Sequence, residues 1–259
     1  LEKKMFLSAC IEWLFKEEAP DFADRIRAAK EAGLGGVEFH LWNDKPIEDI
    51  KAALDETGLT LTSFCVEPRR SLVDAVQHEE FLDAIKATLE TAKILGNPPL
   101  VVASGFTREG VDLGEQRAEA VKALKRAAAL AEEAGVVLLL EPLNTVVTHP
   151  GMFLSSTTLA LDIIEEVNSP SLRLLYDVFH STVMGEDMED VLKGRIHLVR
   201  HVQFADNPGR NEPGSGTIDW AETVGKLRKL GYEGAIGLEY LPTLPAEESI
   251  AKVRAATGL

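Results

Sequence analysis

Four oxygen-bearing side chains each stand at the end of a short apolar run. Glu141 follows VVLLL, Asp177 follows LRLLY, Gln203 follows VRHV and Glu239 follows AIGL. Acids after strands can simply solvate a rim, but four such groups at matching positions in consecutive runs point to convergence. Three carboxylates brought together raise one another's pKa and weaken the fold unless a cation sits between them. A hard divalent ion, Mg2+ or Mn2+, relieves that repulsion, and Gln203 adds a neutral oxygen ligand. Zinc fits less well, because no cluster of His and Cys presents itself. Such an ion can chelate the carbonyl and neighbouring hydroxyl of a small hydroxy-carbonyl compound and stabilise an enediolate. Glu141 and Glu239, on the fifth and eighth runs, stand roughly opposite each other in a ring of eight. They could exchange the proton between adjacent carbons.

Those residues need a scaffold that brings distant strand ends together. Apolar runs begin near Met5, Gly36, Leu59, Leu100, Val136, Leu172, Val199 and Ala235. Between them lie helical patterns over 21–32, 47–57, 79–95, 115–134, 157–167, 188–195, 221–230 and 246–256. In the fourth, Val121, Leu124, Ala128 and Ala131 recur at three- and four-residue steps, with Lys and Glu on the other face. Gly closes several of these stretches, as in AGV and LGYEG. Runs apolar on consecutive positions suit strands buried on both faces of a parallel sheet. Eight βα units predict one (β/α)8 TIM barrel over residues 1–259, with its chemistry at the C-terminal strand ends. No GxGxxG follows the first strand and no P-loop appears, which weakens an open nucleotide-binding sheet.

The formal net charge of −15 argues against a nucleic-acid partner, since phosphates would be repelled. The basic clusters are Arg69–Arg70 and Lys122 to Arg126, and the second reads as a solvated helix face. Cys10 and Cys65 read as buried free thiols without metal or disulfide spacing, which suits a reducing cytoplasm. No run approaches ~18 apolar residues, so no membrane span is expected. Met5 reads as a natural start, with Leu1 to Lys4 a processing remnant. Composition leaves open whether the chain forms a homo-oligomer.

Several stretches carry a resemblance to a known family. They are EPLN at 141–144, YDVFH at 176–180, the long ADNPGRNEPGSGTIDW at 205–220 and GLEY at 237–240, with weaker matches in LSACIEWLF and GVEFHLW. Together they resemble hydroxypyruvate isomerase within the xylose isomerase-like sugar isomerase/epimerase barrels. The resemblance implies a metal held by Glu141, Asp177, Gln203 and Glu239, with the two Glu as acid/base pair. It implies that His180 and Arg210 reach the substrate, where the Arg210 fork could pair with a substrate carboxylate, and that Glu212 holds Arg210 or lines the pocket. Ketose epimerases of the group carry His where Gln203 stands, which favours the hydroxypyruvate isomerase branch. The loops CVEPRRSLVD and TVVTHPG depart from that branch and bear on substrate identity.

Other residues divide between site and scaffold. His40 and Trp42 suit a pocket wall or plain packing, and Trp13 and Phe15 an apolar lid or plain packing. Glu67 reads more readily as scaffold. His201 should lie one layer below Gln203 as a network histidine. Trp220 reads as structural and Asp206 as an Asx-turn residue. The leading expectation is an isomerase of hydroxypyruvate, tartronate semialdehyde or a related oxo-acid. Alternatives are a ketose 3-epimerase, an inosose dehydratase-like lyase, a multi-metal phosphodiesterase resembling endonuclease IV, and a sugar-binding barrel without activity.

Overall fold

The computed structural model describes residues 5–259, so the expectation placed on Leu1 to Lys4 lies outside the described residues. Eight parallel strands close in sequence order, β1 pairing with both β2 and β8. They are β1 (Phe6–Cys10), β2 (Gly36–Glu38), β3 (Thr60–Cys65), β4 (Leu100–Ala103), β5 (Leu138–Glu141), β6 (Leu172–Asp177), β7 (Val199–Phe204) and β8 (Ala235–Leu238). All eight expected runs are strands.

The helices are α1 (Phe22–Glu31), α2 (Ile47–Thr57), α3 (His78–Ile94), α4 (Leu113–Ala134), α5 (Thr157–Val167), α6 (Val178–Val183), α7 (Met188–Leu192), α8 (Trp220–Leu230) and α9 (Ala246–Thr257). Eight match the expected amphipathic stretches. The ninth, α6, was not foreseen, because six residues are too few to display a helical period. Its start is fixed by Asp177, whose Oδ1 accepts from the backbone N–H groups of Phe179 and His180. The longest helix, α4, buries Val121, Leu124, Ala128 and Ala131, the residues whose spacing announced it. Asp112 caps its first turn by accepting from Gly114 and Glu115.

Strand register sets the depth of the site. Asp177 pairs with Gln203, and Gln203 pairs with Gly237, so these positions lie on one level. Glu239 is two residues beyond Gly237, on the same side and one layer higher. Beneath one side of the barrel mouth, Cys65, Val101, Leu139 and Leu175 form a small apolar layer from β3 to β6. The other side is polar. Ser8 and Thr62 bond at 2.7 Å, Thr62 donates to Glu38, and Glu38 reaches across to β7.

Candidate active site

A cavity of about 230 Å3 opens at the strand ends and is lined in part by His40, Arg69, Glu141, His149, Arg210 and Glu239. Oxygen atoms of Glu141 and Asp177 lie within 4.8 Å of each other and of His180. Asp177, His180 and Gln203 are buried beneath the cavity. Of the expected site residues, seven surround one place: His40, Glu141, Asp177, His180, Gln203, Arg210 and Glu239.

Glu212 does not join them. Its carboxylate accepts from the Thr243 N–H and hydroxyl, at 3.0 and 2.6 Å, and lies 3.8 Å from Lys252. It is fully buried and neither lines the cavity nor pairs with Arg210, so its expected contact with substrate or Arg210 is corrected. A loop residue's side chain points where its backbone turns it, and sequence adjacency to Arg210 did not reveal that direction.

The two Glu sit in opposite electrostatic settings. Burial, with Glu239 and Asp177 nearby, drives Glu141 well above the usual carboxylate range. Burial also works against charge on Glu239, but Arg210 and His40 override it and hold the group below its usual range. His40 Nε2 donates to Glu239 Oε1 at 2.7 Å, and Arg210 NH2 pairs with Oε2 at 2.5 Å. Asp177 is pushed up to about 7, mainly by burial, with Arg210 opposing at 3.9 Å. Arg210 itself lies between the Trp13 and Phe179 rings, 5.3 and 5.4 Å from their centroids.

His180 has a defined role within this geometry. Its Nδ1 accepts from the Asn144 backbone N–H at 3.1 Å and from the Asn144 amide at 2.7 Å. Burial holds the ring pKa down to about 3. A neutral ring whose Nδ1 accepts must carry its proton on Nε2. That Nε2 is buried without a hydrogen-bond partner, 3.4 Å from Asp177 Oδ2. His180 therefore offers a donor to the site, not a metal-binding lone pair.

The unmatched buried atoms test whether a cation suits the site. Asp177 Oδ2 and Gln203 Oε1 are buried and meet no protein donor. Buried oxygens are normally satisfied, and leaving one unmet costs about 1–3 kcal/mol. These two and the nearby Glu141 carboxylate offer hard oxygen ligands of the kind Mg2+ and Mn2+ take, and Glu239 lines the same cavity with its oxygens engaged by His40 and Arg210. The residues present fit a divalent ion.

The xylose isomerase-like TIM barrel model matches residues 26–256, nearly the whole chain. The chain belongs to that family. Within this TIM-barrel family it is 30% identical over 250 residues to hydroxypyruvate isomerase of Escherichia coli K12, covering 94% of this chain and 96% of that protein. It is 32% identical over 242 residues to 2-oxo-tetronate isomerase of Cupriavidus necator, covering 91% and 92%. A solved structure described as AP endonuclease, family 2, from Brucella melitensis superposes with a TM-score of 0.87 at 29% identity, covering 96% and 97%.

The barrel also contains a site residue that sequence reasoning missed. Glu38, at the end of β2, accepts from Gln203 Nε2 at 2.7 Å and from His201 Nε2 at 2.6 Å. This contact holds the Gln203 amide with its nitrogen turned away and its oxygen free. Gly237 makes room for it, because a Cβ there would lie 2.5 Å from a Glu38 oxygen. Glu67, by contrast, accepts from the Trp42 and Asn43 N–H groups and shapes a loop. Trp13 lines the cavity, whereas Phe15 packs in the core. Asp206 organises the loop bearing Arg210, accepting from Asn207, Gly214, Ile218 and the Trp220 indole.

Proposed function

We propose that this protein is a divalent-metal-dependent isomerase of small hydroxy-keto acids, hydroxypyruvate or a 2-oxo-tetronate, acting through an enediolate. The observation that carries the reading is the pair of unmet buried oxygens, Asp177 Oδ2 and Gln203 Oε1, beside the carboxylates of Glu141 and Glu239. The names of the two isomerase relatives support the substrate class.

Glu141, Asp177, Gln203 and Glu239 would hold Mg2+ or Mn2+. The ion would supply Lewis acidity at the substrate's carbonyl and hydroxyl oxygens. Glu239, kept ionised by His40 and Arg210, takes the proton from one carbon. Glu141 returns a proton to the neighbouring carbon. His180 Nε2–H donates to the oxygen on which charge develops. Trp13 and Phe179 fix Arg210, and Arg210 fixes Glu239, so the base does not reorganise during the transfer.

The nuclease class raised by the Brucella structure's description is disfavoured. The net charge of −15 opposes a phosphate backbone, and each of the two side-chain groups among the described residues that could hold a metal brings a single His, His40 or His180, rather than a His-rich cluster. Turnover of hydroxypyruvate with Mn2+ in D2O tests the proposal. The expected product is tartronate semialdehyde carrying deuterium at the carbon that was the ketone. No turnover of hydroxypyruvate, together with deuterium and inverted configuration in a ketose supplied in its place, would instead mark an epimerase, and loss of water from a supplied inosose a dehydratase. Full activity after exhaustive chelation would remove the metal from the account.

A further inference from the structure

Three arginines line the cavity: Arg69, Arg70 and Arg210. Arg210 is committed to Glu239 and lies close to Asp177. Arg70 pairs with Glu80 at 2.6 Å. Arg69 makes no ion pair among the described residues, yet it stands on the cavity wall. Its charge reaches the interior, where it opposes the effect of burial on both Cys65 and Glu141. The cavity thus has an acidic floor, formed by Glu141 and Glu239, and a wall carrying a guanidinium that meets the Cys65 thiol but no acidic partner among the described residues.

We infer that Arg69 is the residue that binds the substrate's terminal carboxylate and so selects acids over neutral sugars. This rests on the isomerase reading and names the group that sets its substrate class. A hydroxy-keto acid has two ends. Its hydroxy-carbonyl end belongs at the floor, beside the proton-transferring carboxylates. Its carboxylate would be repelled there and is drawn to the one cavity arginine without an acidic partner among the described residues. A guanidinium grips a carboxylate with two parallel N–H donors, which fixes orientation as well as charge. A neutral ketose offers nothing to this group. Arg69 lies in the 66–74 segment between β3 and α3, part of the stretch where the sequence departs from the hydroxypyruvate isomerase pattern. Specificity for the acid's far end is therefore written in a loop, while the proton chemistry is written in the strands.

The test uses the Mn2+-loaded protein and titration calorimetry with tartronate. One carboxylate and the hydroxyl of tartronate mimic the chelating pair, and its second carboxylate reports on Arg69. Arg69 is exposed on a loop, so its replacement leaves the core intact. Arg69→Met should weaken tartronate about tenfold, and Arg69→Lys by less, because one charge-assisted contact is worth roughly a factor of ten. Affinity for Mn2+ and for neutral dihydroxyacetone should change less than about twofold, since neither meets a terminal-anion contact. Unchanged tartronate affinity in Arg69→Met, or an equal loss for dihydroxyacetone, overturns the assignment. If wild-type protein turns over hydroxypyruvate and Arg69→Met keeps its KM, only the role of Arg69 fails. If wild-type protein neither binds tartronate nor turns over hydroxypyruvate, the isomerase reading fails with it.

Discussion

Gln203 donates its Nε2–H to Glu38 across 2.7 Å, and its Oε1 is left buried with no donor to meet it. An amide can present either end to a site, and here a carboxylate from the far side of the barrel decides which. Glu38 also receives the His201 Nε2–H, so both of its oxygens are engaged.

Replacing Glu38 with Gln leaves one acceptor oxygen facing three donors, from Thr62, His201 and Gln203. The Gln203 amide then loses its fixed orientation. Mn2+ affinity should fall about tenfold to a hundredfold, as for other residues that orient metal ligands. Calorimetry or the free-Mn2+ electron paramagnetic resonance signal reads this directly. An unchanged Mn2+ affinity would remove Glu38 from the ion's support. Gly237→Ala should act in the same direction, with a stability cost of about 1–3 kcal/mol from overpacking against Glu38.

Glu239→Gln and Glu141→Gln should each lower kcat by about 10²–10⁴, the range for losing a positioned proton-transfer group. Their effects on the metal-free fold should differ. Glu141→Gln removes a poorly compensated buried charge and should leave Tm unchanged or raised. Glu239→Gln strips Arg210 and His40 of their partner and should lower it. Equal Tm changes would contradict the asymmetry between the two sites.

Metal-free stability should depend on pH with a defined sign. Asp177 titrates near 7 and Glu141 is raised well above its usual range, so the folded state binds their protons more tightly than the unfolded chain does. Their contribution is fully present below the ordinary carboxylate range and is lost as pH rises through about 7. Chelated protein should therefore lose Tm between pH 5 and 7.5, by about 2–4 °C per kcal/mol. Glu239 is shifted the other way, and its contribution is lost only at lower pH. With Mn2+ the trend should reverse, because binding needs the deprotonated carboxylates. Differential scanning fluorimetry with and without EDTA across this range decides it. A chelated protein whose Tm rises steadily to pH 7.5 would contradict the account.

The barrel was legible because buried parallel strands read as unbroken apolar runs, and the last four ended on residues that line the cavity, Glu141 and Glu239, or are buried beneath it, Asp177 and Gln203. Glu141, Asp177, Gln203 and Glu239 could be found because a polar oxygen after such a run is conspicuous. Glu38 was hidden for the opposite reason. Its strand is three residues long, and its partners His201 and Gln203 lie 163 and 165 positions away. The available signal was an acid inside an apolar segment, matched by a glycine on the strand it must pass. The direction of Glu212 was likewise a matter of loop geometry. Arg69 was visible as half of a basic pair, but only the pairing of Arg70 with Glu80 shows which arginine has no acidic partner among the described residues.

The bond between His40 and Glu239 joins the loop after β2 to the end of β8, bridging over β1, where the first and last strands meet. No consecutive half of the polypeptide contains both partners. On the proposed function, a folding intermediate still lacking its final strand would have neither Glu239 at the ion nor the base that His40 and Arg210 restrain. Ion capture should therefore report on ring closure, the last long-range event in assembly, and a metal-sensitive probe followed during refolding would time it.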